Sequence, residues 1–177
     1  VADNTITDVL HDYNVAAGDV FFLPAGRIHS IGTGCFIAEI QQTSDITYRI
    51  YDFGRTGLDG KPRELHTELS KAAIDYTVLP DYKTYYNEQK NAETELVSCD
   101  YFTTSLYDID QPVSKEISSL DSFLIVICTE GSGVITDSEG NSETMKQGET
   151  ILVPASSGNI TFTPDDGGLK FLTRHIG

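Results

Sequence analysis

Residues 16–25 read AAGDVFFLPA and residues 146–155 read KQGETILVPA, the same pattern at an offset of 130. Each copy is a glycine, an acid, a short apolar run and then Pro-Ala. The glycine and acid suit a tight turn, and the proline can stand at a strand end where no ladder donor is needed. Similar strand density surrounds both copies, so the repeat predicts a duplicated β domain.

Near the first copy, β-branched and aromatic runs punctuated by Gly, Pro, Asp and Ser predict strands around 19–23, 35–42 and 46–51. The turn-rich loop FGRTGLDGKPR follows at 53–63. One helix is predicted over 63–75, where Leu65, Leu69, Ala72 and Ala73 share a face and Pro80 lies beyond the end. Residues 81–95 read as a polar linker, and a second set of strands runs from about residue 96 to KFLTRHI near the C-terminus. The predicted organisation is 1–80, a linker at 81–95, and a second β domain at 96–177.

The copies diverge immediately afterwards. FFLPAGRIHS, residues 21–30, carries His29, whereas the same offset reaches Asn159 in the second copy. An imidazole just past a strand-ending turn, present in one copy only, is a candidate metal ligand; a packing histidine is the structural alternative.

Composition narrows the function classes. Apolar residues make up 39% and charged residues 22%, as expected of a soluble globular chain with a real core. No run of about 18 apolar residues exists, so no membrane-spanning helix is expected. VADNTITDVL has neither a basic nor an apolar leader region, and no signal peptide is expected. Three widely spaced cysteines, Cys35, Cys99 and Cys128, read as reduced, mostly buried thiols of a cytoplasmic protein. The net charge of −15 argues against nucleic acid and anionic membrane as partners. One segment escapes that acidity. Residues 27–63 hold five basic side chains (Arg27, Arg49, Arg55, Lys61, Arg63) against four acids, leaving seven of twelve basics and twenty-three of twenty-seven acids elsewhere.

The longer segment GDVFFLPAGRIHSIGTGCFIAEIQQTSDITYRIYDFGR (18–55), followed by GKPRELH (60–66), resembles type I phosphomannose isomerase (mannose-6-phosphate isomerase), in the C-terminal portion of its short bacterial form. The family pattern is Pro-(Ala/Ser)-Gly-x-x-His, a strand carrying Glu, then Ser-Asp-x-x-x-Arg. Here those positions are His29, Glu39, Ser44-Asp45 and Arg49. Arg-Glu-Leu-His at 63–66 fits the bacterial branch.

The resemblance implies a mostly β cupin fold (a double-stranded β-helix or jelly-roll) with two barrels, the first incomplete, and one connecting helix. It implies interconversion of mannose 6-phosphate and fructose 6-phosphate with one zinc ion in the first barrel. His29 matches the last metal-binding histidine. Glu39 and Arg49 match pocket residues with catalytic roles. Arg49 and Lys61 are the candidate contacts to a sugar-phosphate substrate.

The residue types suit that chemistry. Aldose–ketose isomerisation passes through an enediol with negative charge developing on oxygen. A divalent metal can stabilise that oxygen, and neutral imidazole binds zinc well. A guanidinium can hold the enediolate or the phosphate, and a carboxylate such as Glu39 can relay a proton. Bland alternatives stand beside each role. Arg49 can pair with Asp45 or Asp52, Glu39 can be a structural acceptor, and Arg27, Lys61 and Arg63 can be solvated loop charges. His66 reads as a helix-surface or packing residue.

One feature departs from the family pattern. No His-x-His or Gln-x-His precedes His29, and one histidine cannot hold a zinc that takes about three protein ligands. The chain is therefore expected to be a fragment, inactive alone and prone to self-association through its incomplete barrel. The alternative is a non-catalytic bicupin that binds a sugar or a regulator.

Overall fold

The computed structural model describes residues 5–44 and 46–176. The chain divides into two compact units, Val1–Lys83 and Thr84–Gly177.

The second unit holds seven strands: β1 Glu93–Cys99, β2 Phe102–Ile109, β3 Val113–Glu116, β4 Leu124–Thr136, β5 Ser142–Lys146, β6 Thr150–Val153 and β7 Asn159–His175. Every pairing between them is antiparallel, in the order β1-β2-β7-β4-β5, with β3 on β7 and β6 on β4. β4 and β7 are long, and each changes its outer neighbour part-way along. β4 pairs β6 through Leu124–Ile127 and β5 through Ser132–Thr136, while β7 pairs β3 with its first half and β2 with its second.

Glycine makes that bend possible. Gly131 (φ +75°) faces Gly168 (φ +80°), and a Cβ on Gly131 would lie 2.1 Å from the Gly168 carbonyl oxygen. The ladder shifts register on both sides of Gly131, as β-bulges at a sharp bend do.

Alternation along the strands then fills the interior. Leu124, Val126 and Cys128 of β4 are buried, as are Leu169, Phe171 and Thr173 of β7. Phe171 stacks on Tyr107 at 4.9 Å and packs against Phe162 at 4.3 Å. One end of this interior is polar. Lys115 donates to both carboxylate oxygens of Glu93, at 2.8 and 2.7 Å. Burial and the Glu93 carboxylate push the Tyr107 phenol well above its ordinary value. β1 begins at Glu93, a little before the predicted onset near 96, because Glu93 is paired with Tyr107 in the ladder and anchored by Lys115.

The mostly β, antiparallel class expected from the sequence holds. The strands expected near 19–23, 35–42 and 46–51 do not form; these stretches carry no ladder, and 19–23 contributes one isolated bridge residue, Val20. The reason is physical: β-propensity makes a strand only where a second backbone lies alongside to close the hydrogen bonds. The apolar faces of these stretches stay exposed at Phe22, Leu23, Phe36, Ile37 and Ile46.

The predicted helix over 63–75 shortens to α1, Thr67–Ala73. Its first turn is lost because His66 pairs with Arg49 through the main chain and Arg63 turns to Asp52. Its end is fixed by Asp75, whose N–H donates to the Gly26 carbonyl at 3.0 Å. Gly26 (φ +84°) allows that approach, since a Cβ there would lie 2.5 Å from the Ala73 carbonyl oxygen.

Candidate functional site

The basic segment singled out by its charge lies wholly in the first unit. It begins with the repeat turn. Gly18 and Gly26 both have positive φ, and Arg27 N–H donates to the Pro24 carbonyl at 3.1 Å. The Arg27 side chain is committed to structure. It ion-pairs Asp75 at 2.9 Å, donates to the Thr77 carbonyl at 2.7 Å and lies over the Tyr82 ring.

His29 follows on the surface, with Nδ1 3.0 Å from the Arg27 carbonyl oxygen. A carbonyl only accepts, so Nδ1 carries the proton and the lone pair of the neutral ring sits on Nε2, facing away. That is the arrangement in which a histidine is oriented by one nitrogen and offers the other to a metal. Among the described residues, no three His, Cys, Asp or Glu side chains come together as a metal site. His29 alone falls short of the roughly three protein ligands that zinc takes. These residues therefore do not by themselves make a zinc centre.

Glu39 is exposed, and among the described residues no hydrogen bond or ion pair engages its carboxylate. Lys61 is also exposed; its main chain closes a small loop, donating to Asp59 Oδ1 and accepting from Gly57, beside the Thr56–Pro62 bridge. Its ammonium group has no bond among the described residues. Asp45, one of the two acids expected as a partner of Arg49, lies outside the described residues.

The side chains that do converge surround Asp52. Its carboxyl is 7% exposed and receives Arg63 through both Nε (2.7 Å) and Nη2, and Arg55 Nη2 at 3.0 Å. Arg49 Nε stands further off, at 4.0 Å. The Arg63 hydrogen bonds, and then the Arg63 and Arg55 charges, hold the Asp52 carboxyl at about 2 against the opposing effect of burial. The same contact pushes Arg63 upward. Phe53 (φ +54°) and Gly54 (φ +67°) turn the chain sharply so that Arg55 can reach back. Tyr51, Asp52, Gly54, Arg55, Pro62, Arg63 and Leu65 line a shallow cleft of about 180 Å³ beside this cluster.

Arg49 is the least saturated of the three arginines. Its Nη1 reaches the Glu64 carbonyl at 3.4 Å and its side chain is 26% exposed. Its main chain is held on both sides by His66: Arg49 N–H donates to His66 Nδ1 at 3.1 Å, and His66 N–H donates to the Arg49 carbonyl at 2.7 Å. The structure thus joins Arg49 to Asp52, Glu64 and His66. Among the described residues, no hydrogen bond or ion pair joins it to Glu39 or His29. Sequence reading offered Asp52 as one partner of Arg49. It missed Arg63 on Asp52 and His66 on Arg49, because neither spacing is local to one element.

Residues 92–166 match the family described as mannose-6-phosphate isomerase, cupin domain. The mannose-6-phosphate isomerase ManA of Bacillus subtilis is 33% identical over 171 residues, 96% of this chain and 52% of its own length. The mannose-6-phosphate isomerase of Streptococcus mutans is 34% identical over 91% of this chain and 49% of its own length. A crystal structure of the mannose 6-phosphate isomerase from Bacillus subtilis superposes with a TM-score of 0.62 at 27% identity, covering 75% of this chain and 41% of that one. The chain spans about half the length of the curated relatives it matches. The β fold is of the cupin type, and the resemblance to the C-terminal portion of a type I phosphomannose isomerase extends over nearly the whole chain.

Proposed function

We propose that this chain, similar over 96% of its length to a mannose-6-phosphate isomerase, is the C-terminal portion of an enzyme that interconverts mannose 6-phosphate and fructose 6-phosphate. The observation that supports a role at residue level is the state of Arg49. Arg55 and Arg63 are taken up by Asp52 at 3.0 Å or less, while Arg49 keeps a looser contact at 4.0 Å and retains donors for an incoming anion.

In the proposed reaction a proton leaves C2 of the aldose as an enediol forms and is returned to C1 of the ketose. Arg49 stabilises the oxygen on which charge develops, or clamps the phosphate with its fork of donors. Glu39, whose carboxylate is unengaged among the described residues, relays the proton. Lys61 sits at an exposed loop tip where its ammonium can contact the phosphate. A divalent ion, zinc in this reading, supplies Lewis-acid chemistry when bound. His29 gives one donor, and the others come from outside the residues described.

The chain alone is accordingly proposed to be inactive and to self-associate through its unpaired apolar stretches; a monomer by light scattering at tens of micromolar would contradict that part. Among the described residues, no helix is long and apolar enough to cross a membrane. A cytoplasmic location belongs to the proposal, supported by three free cysteines, of which only Cys128 is buried, with Cys99 half-buried and Cys35 exposed, against the mostly buried thiols expected. The deciding experiment is Arg49→Ala in the complete polypeptide. Loss of about 10²–10³ in kcat/KM with bound zinc unchanged is expected. Unchanged turnover would remove Arg49 from the reaction, and no turnover by the unsubstituted complete polypeptide would favour a sugar-binding bicupin.

A further inference from the structure

His66 stands at the N-cap of α1, where Ser, Thr, Asp or Asn ordinarily accepts a hydrogen bond from the helix's own first turn. It makes no such bond. Its ring turns back along the chain instead, and Nδ1 accepts the Arg49 main-chain N–H at 3.1 Å. Its own N–H donates to the Arg49 carbonyl at 2.7 Å. Both polar groups of the Arg49 main chain are therefore spoken for by one residue, 17 positions away.

The far side of His66 is fixed as well. Its carbonyl accepts from Ser70 N–H at 2.9 Å and from Ser70 Oγ at 2.7 Å, and Ser70 is 2% exposed. The Tyr48 ring lies 6.2 Å from the imidazole, tilted by 53°. From Ser70 through His66 to Arg49, helix α1 is thus linked by hydrogen bonds to the residue proposed to meet the substrate. A main-chain N–H only donates, so Nδ1 must hold the lone pair and the proton of the neutral ring sits on Nε2.

We propose that His66 is a positioning residue for Arg49: by clamping its main chain to the start of α1, it sets where the guanidinium projects. The inference rests on the reading of Arg49 as a substrate contact, and it adds a group that acts only through Arg49. An acceptor at the Nδ1 position is what the clamp needs. Asn carries one at the same reach, and Leu keeps bulk without it.

The test uses two measurements, so that the two readings fail separately. In the 177-residue chain, hydrogen exchange at the Arg49 amide is expected to speed up about tenfold in His66→Leu, the loss of one hydrogen bond, and to stay near wild type in His66→Asn. Unchanged exchange in His66→Leu overturns the clamp itself. In the complete polypeptide, His66→Leu is expected to lower kcat/KM for mannose 6-phosphate about tenfold, His66→Asn to restore most of it, and His66→Leu to cost nothing further on an Arg49→Ala background. Additive losses, or an Asn variant as poor as Leu, would overturn the positioning role. If Arg49→Ala leaves turnover intact, the reading of Arg49 fails and the positioning role falls with it, while the exchange result still decides whether the clamp exists.

Discussion

The two copies of the repeat fold alike where the chain acts locally and differ where it needs a distant partner. In the first, Asp19 N–H donates to the Ala16 carbonyl at 3.1 Å and the Asp19 carboxylate accepts the Ala16 N–H at 3.1 Å. In the second, Glu149 N–H donates to the Lys146 carbonyl and its carboxylate accepts the Lys146 N–H, both at 3.0 Å. Gly18 and Gly148 have φ of +90° and +87°. Both copies close again after the proline, Arg27 on Pro24 and Ser157 on Pro154. Between these matched turns, the second copy is β6, laddered to Leu124–Ile127 of β4, and the first forms no ladder, only the single bridge at Val20. Leu23 is 39% exposed where its counterpart Val153 is 6% exposed. Turn chemistry is written in a few neighbouring residues, whereas a strand exists only with its partner.

The largest effect that sharpens this contrast is in the cores. Phe171→Ala, which removes a fully buried ring from the stack with Tyr107 and Phe162, is expected to cost the second unit about 3–5 kcal/mol in urea unfolding. Leu23→Ala is expected to cost less in this chain, about 1–2 kcal/mol, since Leu23 is only partly buried, with 39% of its surface exposed. The comparison breaks if both substitutions destabilise equally. It sharpens if Leu23→Ala becomes costly once the complete polypeptide is used.

A smaller and equal effect is expected at the turns. Gly18→Ala and Gly148→Ala each force an alanine into the left-handed region, at about 1 kcal/mol apiece. Unequal losses by hydrogen exchange within each unit would show that the matched turns are not matched in energy.

The smallest is the response to acid. His175, at the end of β7, has a buried Nδ1 with no hydrogen-bond partner among the described residues, and burial and then the Lys115 ammonium hold its pKa below 6.5. Unfolding raises that value, so its contribution is present above about 6.5 and is lost as pH falls from there through the folded value. His175→Gln is expected to flatten the second unit's stability over that window, followed by hydrogen exchange against pH. In the first unit Asp52 acts in a lower window, with its contribution present above 3.8 and lost as pH falls toward about 2. An unaltered pH profile in the His175 variant would contradict the assignment.

Much of the second unit was legible in the sequence. Its alternation, its turn glycines and the repeat itself are patterns of period two or of a few residues. The β class and the late-chain strand set followed from them, and β1 alone started early because Glu93 is stabilised by Lys115 from another strand. The first unit was less legible for the same reason in reverse. Its stretches carry strand propensity at Phe21, Phe36, Ile37 and Ile46 but no ladder, and the helix lost Arg63–His66 to contacts with Asp52 and Arg49. The basic segment was visible as a charge imbalance. That Asp52 would gather Arg55 and Arg63 while Arg49 kept donors in reserve depends on a sharp turn at Phe53-Gly54, which no periodicity announces.

The central claim, that this chain is one portion of a mannose-6-phosphate isomerase, is tested most directly by turnover of mannose 6-phosphate to fructose 6-phosphate. The 177-residue chain is compared with the complete polypeptide under the same zinc supply. The account predicts conversion by the complete polypeptide and none by the chain alone. Equal turnover by the chain alone, or none by the complete polypeptide, would contradict it.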